Sequence, residues 1–134
     1  MASHGSFDLE HPSLEDLDTI AHLEEISYPQ DEAASKERIK FRIINALDYF
    51  YIWVRNDNGQ REIAGFVNGT LTADEKLSEE SMKEHHKHGT TLCIHSVVID
   101  PKYRRNKLGS TMFKSYINEV SAKTPVKIIF LLCK

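Results

Sequence analysis

The segment from Thr91 to Ser110, TLCIHSVVIDPKYRRNKLGS, constrains the fold more than any other stretch of the chain. Leu92, Cys93, Ile94, Val97, Val98 and Ile99 make a short run rich in β-branched residues. Asp100-Pro101 stops that run after about nine residues, so it reads as a buried strand rather than a helix. Beyond the stop, Leu108, Met112, Phe113, Tyr116, Ile117 and Val120 recur at helical spacing, and the loop between carries Arg104, Arg105 and Lys107. A strand, a cationic loop and a helix start, in that order, predict an anion site. The first N–H groups of a helix lack intrahelical partners, and that end carries a partial positive charge that the three cations reinforce.

The rest of the chain supplies a sheet and two more helices. Phe7-Asp8-Leu9 reads as a first strand. Ser13 precedes Leu14-Glu15-Asp16 as a capping-box variant, so a helix is expected from about Leu14 to Ile26 and ends at Tyr28-Pro29. Ser35 caps a second helix through Ile39, Ile43, Ile44 and Leu47. Tyr49 to Val54 and Glu62 to Leu71 form a predicted hairpin about the turn signal Asn56-Asp57-Asn58-Gly59. In its second strand, Gly65 and Gly69 mark a bulge or a close backbone approach. A polar stretch follows, with a short helical piece around Ser78 to His86. Its His85, His86 and His88 complete no metal-ligand spacing, so the segment reads as solvated and no metal is expected. Pro125 then breaks the chain before a final apolar strand, Lys127 to Cys133.

The 134 residues suffice for one domain with a hydrophobic core, and 40% hydrophobic with 28% charged residues is a globular composition. No run approaches the roughly 18 apolar residues of a membrane span, and Met1 to Gly5 lacks a signal pattern. A cytoplasmic protein with no membrane partner is the expectation. Cys93 and Cys133 both fall in buried-strand segments and read as reduced thiols rather than a disulfide. Residues 1–35 hold nine acids and no Lys or Arg, whereas residues 100–134 hold eight Lys or Arg and two acids. Either both ends are solvated faces, or a basic end serves a polyphosphate ligand while an acidic end attracts cationic amines. The basic stretch is too short, and the remainder too acidic, for nucleic acid to be a partner.

Arg104-x-x-Lys107-x-Gly109, following a strand with an internal His, resembles the (Arg/Gln)-x-x-Gly-x-(Gly/Ala) loop of GNAT acetyltransferases. Ile63 to Thr70, Leu77 to Met82 and Cys93 to Ile99 are similar, more particularly, to arylalkylamine (serotonin) N-acetyltransferases and their fungal polyamine-acetylating relatives. The family's first loop glycine is Lys107 here; if that position needs φ > 0, Lys tolerates it worse than Gly.

The fold this resemblance implies is α/β: a mixed sheet in three α/β/α layers, the GNAT acyl-CoA N-acyltransferase fold. Residues 1–134 would be a single, incomplete domain truncated after the fifth strand. The implied activity is acetyl transfer from acetyl-CoA, as cosubstrate, to a small primary amine. Pantetheine would pair with the peptide groups of Val97, Val98 and Ile99. The pyrophosphate would lie on Arg104, Arg105, Asn106, Lys107, Leu108, Gly109 and Ser110. The amine would meet Tyr28, Pro29 and Leu132. His95, expected to alternate with Cys93 and Val97, would relay the amine proton, as suits a group titrating near neutrality. Relatives protonate the leaving thiolate with a tyrosine beyond the last strand present here; Tyr103 and Tyr116 do not match its position. An apolar last strand with nothing after it implies either a truncated chain or a second copy completing the sheet through Lys127 to Cys133. Two other readings share the motifs: a catalytically silent acetyl-CoA-binding module, and a protein or peptide N-acetyltransferase.

Overall fold

The computed structural model describes residues 6–72, 91–104, 107–126 and 128–131. In chain order they form β1 (Ser6–Glu10), a 3-10 turn (Leu14–Asp16), α1 (Leu17–Ser27), α2 (Lys36–Asn45), a second 3-10 turn (Leu47–Tyr49), β2 (Phe50–Asp57), β3 (Gln60–Thr72), β4 (Thr91–Ile99), a third 3-10 turn (Pro101–Tyr103), α3 (Leu108–Lys123) and β5 (Ile128–Leu131). The sheet runs β1-β2-β3-β4-β5, antiparallel except for the parallel β4–β5 pair.

Local sequence accounts for most element ends. Ser13 and Asp16 form the reciprocal capping box, but over a 3-10 turn, so the α-helix proper begins at Leu17 rather than Leu14. The Ser35 hydroxyl accepts from the Arg38 N–H and starts α2. That helix stops at Asn45, and Ile44 and Leu47, expected on its buried stripe, lie exposed instead. Asn58 and Gly59 both have positive φ, 51° and 81°, which joins β2 to β3 by the two-residue turn that matches strand twist.

Two apolar layers hold the sheet. Met112, Tyr116 and Val120 of α3 pack on one face against Tyr51, Trp53, Val67, Leu92 and Ile94. Leu17, Ile20 and Leu23 of α1, with Ile39 and Ile43 of α2, cover the other face at Phe50, Ile52, Phe66 and Val98. This is the three-layer α/β/α arrangement, with the helices where their apolar periods place them.

The two strand glycines are explained by close approach. A Cβ on Gly65 would lie 2.4 Å from the Val98 carbonyl oxygen, and one on Gly69 would lie 2.6 Å from that of Cys93. Both adjoin a register shift. One falls between Trp53 and Val54, where β2 meets β3; the other falls between Asn68 and Gly69, where β3 meets β4. Cys93 is buried, whereas Cys133 and the piece from Ser78 to His86, with His85, His86 and His88, lie outside the described residues. No helix among the described residues is long and apolar enough to cross a membrane.

Candidate functional site

The second register shift creates the site. Asn68 stands opposite Ser96 and Gly69 opposite Ile94, so His95 is the extra residue of a bulge in β4. A bulge resets the alternation of side chains. Leu92 and Ile94 face α3 before it, and Val97 and Ile99 face α3 after it. His95 therefore alternates with Cys93 but not with Val97, contrary to the uninterrupted period expected from sequence. It is 1% exposed, on the α1/α2 side, with Nε2 2.8 Å from the Thr70 hydroxyl.

Among the described residues, β5 pairs with β4 from Thr91 to Ile94. Past that point, side chains meet the outer edge of β4. Val97 N–H donates to the Tyr28 hydroxyl, which donates in turn to the Val97 carbonyl, both at 3.3 Å. Burial is the chief reason that the Tyr28 phenol is pushed above its ordinary value, with Glu24 and Glu32 adding to the effect. The Ile99 carbonyl accepts from Arg104 Nε at 3.2 Å, and Arg104 Nη2 donates to Ser27 Oγ at 3.2 Å. Pro29, beside Tyr28, is exposed, and its carbonyl accepts from the N–H groups of Glu32 and Ala33.

The loop ahead of α3 has the conformation that its sequence disfavours. Lys107 is the helix N-cap in the left-handed region, φ 59° and ψ 15°. Leu108, Gly109 and Ser110 form the first turn, which carries no acid and receives no side-chain cap. These residues suit a diphosphate: the turn's N–H groups have no acidic side chain to compete for them, and Lys107 is exposed beside them. Arg105, Asn106 and Leu132 lie outside the described residues.

A buried polar group that the sequence reading passed over underlies the bulge. Glu24 of α1, 0% exposed, accepts from the Ser96 hydroxyl at 2.7 Å and from the Ala34 N–H at 2.8 Å. Arg42 of α2, also buried, donates to the Asn68 side-chain oxygen at 3.2 Å. Burial pulls its guanidinium down to about 10, partly offset by the nearby Glu24 charge. The Asn68 amide nitrogen has no acceptor among the described residues. The signal was legible: Glu24 lies four residues after Ile20, and Arg42 three after Ile39, both on stripes otherwise apolar.

Tyr103 and Tyr116 stand apart from the bulge. Tyr103 donates to Glu62 and packs edge-on to Phe7, while Tyr116 is wholly buried under α3 and donates to the Tyr49 carbonyl at 2.7 Å. An open cleft of about 710 Å³ spans the ends of β2 and β3 beside Tyr103. Its charges answer one another, Arg55 with Asp57 and Lys102 with Glu62, so it is read as a solvated surface.

Residues 15–133 match the model of the Acetyltransferase (GNAT) family. The chain belongs to that family. Serotonin N-acetyltransferase of Mesocricetus auratus is 25% identical over 72 residues, which are 54% of this chain and 35% of that protein. The loading GNATL domain of CurA from Lyngbya majuscula superposes on this GNAT chain with a TM-score of 0.80, at 20% identity. That alignment covers 97% of this chain and 67% of the other. The GphF GNAT-like decarboxylase in complex with isobutyryl-CoA gives 0.77 at 19% identity, covering 92% and 64% respectively. The GNAT chain thus spans about a third of the curated relative and about two thirds of these two structures. At such identities the structures show the shared fold. Among the described residues, no cluster of metal-ligating side chains occurs.

Proposed function

We propose that this GNAT chain carries an acetyl-CoA-dependent N-acetyltransferase active on a small primary amine of the arylalkylamine or polyamine type. The observation that carries the reading is that β4, beyond its described pairing with β5 at Thr91 to Ile94, leads through the Pro101–Tyr103 turn toward an acid-free helix start at Lys107 to Ser110. An extended pantetheine arm and a diphosphate need those two features in that order. The alternating outward peptide groups of Val97 and Ile99 hold the arm, and the first turn of α3, with Lys107, holds the diphosphate.

Bound acetyl-CoA supplies the activated acyl group; the protein binds, orients and moves a proton. His95, fixed in orientation by Thr70, takes the proton that the ammonium group must lose before attack. Glu24 and Ser96 brace the bulge that sets its position. The preference for a cationic amine is supported by the charge felt at Tyr28, where Glu24 and Glu32 both act on the phenol. Asp31 and Glu32 lie exposed on the same α1–α2 loop, beside Tyr28 and Pro29.

Thermal denaturation with and without acetyl-CoA tests binding, since a ligand selective for the folded state at a hundred times its Kd adds about 2.7 kcal/mol. Acetyl-CoA consumption with tryptamine, spermidine and a lysine peptide then tests transfer. Transfer to either small amine is expected. Stabilisation without transfer to any of them would leave a silent binding module, and preference for the peptide would make the chain a peptide N-acetyltransferase.

A further inference from the structure

Two adjacent residues at the end of α1, Ser27 and Tyr28, are fastened to the outer edge of β4. The Tyr28 hydroxyl straddles the N–H and C=O of Val97, and Ser27 is tied through Arg104 to the C=O of Ile99. Residues two apart on a strand present their peptide groups to the same edge, so the fastening covers consecutive outward-facing units. A secondary amide of an extended ligand would engage the same N–H and C=O of Val97. A peptide N–H is a single donor, so the two partners exclude one another at Val97. The contacts in place are long, both at 3.3 Å, against the usual roughly 2.9–3.0 Å of an N–H···O bond and 2.7–2.8 Å of an O–H···O bond, so a well-aligned amide has the advantage.

We propose that Tyr28 is a strap over the cofactor edge: acetyl-CoA pairs with β4 only by displacing the Tyr28 hydroxyl from Val97, which makes Tyr28 a determinant of cofactor affinity. The inference rests on the reading of β4 as the cofactor strand. It also reassigns Tyr28, expected from sequence to contact the amine. The displacement is local. Glu24, one helical turn earlier, stays bonded to Ser96 and Ala34, so α1 and the start of α2 keep their places while the phenol turns aside. Arg104 is displaced with it when its guanidinium turns from Ser27 and Ile99 toward a diphosphate.

The test is calorimetric titration of the chain and its Tyr28→Phe variant with coenzyme A, pantetheine and adenosine 3′,5′-bisphosphate. Removing the hydroxyl should tighten coenzyme A and pantetheine by about three- to tenfold, the worth of one net hydrogen bond, and leave the bisphosphate unchanged. Unchanged or weaker coenzyme A binding in the variant overturns the strap. Absence of coenzyme A binding to either protein overturns the proposed function, and the strap with it. Hydrogen exchange without added ligand gives a second readout. The Val97 amide should exchange faster in Tyr28→Phe, and equal protection in the two proteins would refute the contact independently of any ligand.

Discussion

The Glu24 carboxylate accepts the Ser96 hydroxyl at 2.7 Å, tying α1 to the bulged stretch of β4 in an environment closed to water. The other carboxylate oxygen takes the Ala34 N–H, so one side chain positions the helix, the α1–α2 loop and the bulge together. Removing it as Glu24→Ala takes the carboxylate acceptor from the Ser96 hydroxyl and the Ala34 N–H and leaves the nearby Arg42 charge less compensated. We expect a loss on the order of 3 kcal/mol in urea unfolding. Glu24→Gln, able to accept from Ala34 and donate to Ser96, should recover more than half. Equal losses in the two variants would show that charge, not the bonding pattern, is what the site requires.

Lys107 holds a left-handed conformation, at φ 59°, that costs a residue bearing a Cβ roughly 1 kcal/mol relative to glycine. Lys107→Gly should therefore raise stability by about that amount. Lys107→Val, β-branched, should lower it. Chemical denaturation of the two variants decides the matter, since a destabilised glycine variant is incompatible with strain at this N-cap.

Gly69 faces the bulge, and an added methyl would overlap both the Cys93 carbonyl oxygen at 2.6 Å and a Leu92 methyl at 2.8 Å. Backbone cannot yield as a flexible side chain can. Gly69→Ala is expected to cost about 2–3 kcal/mol and to shift the resonances of His95 and Ser96. Wild-type stability would mean that the β3–β4 spacing is looser than these distances.

His95→Ala, which removes the contact with the Thr70 hydroxyl, should fold but should slow acetyl transfer. The deficit should be largest near neutral pH, where a neutral imidazole can take the proton of an amine still protonated, and shrink as pH rises toward the pKa of the amine. A deficit of the same size at every pH would assign His95 to structure alone.

Much of this was readable in the chain. The Ser13–Asp16 box, the Asn58-Gly59 turn and the apolar period of α3 are local signals; the turn and α3 formed where their signals lay, while the box caps a 3-10 turn ahead of α1. The cationic loop and its departure at Lys107 were legible for the same reason, because a helix start needs nothing from distant residues. Leu47 lies exposed because periodicity continues on paper after the helix has ended at Asn45, and Ile44 because a residue next to buried Ile43 is turned about 100° away around the helix. Glu24 and Arg42 were visible as charges on apolar stripes, but a stripe does not name the partner across the layer.

By itself, then, the order of residues determined the strands, the helices, the capped starts and the acid-free first turn of α3. These follow from backbone sterics and periodicity within a dozen residues. Only the tertiary structure decided that His95 is the residue bulged out of β4, that Glu24 answers Ser96, and that Tyr28 lies on Val97. Pairing register and buried contacts depend on groups tens of residues apart being brought to hydrogen-bonding distance. No local pattern encodes which of several polar groups will be left facing one another once the layers close.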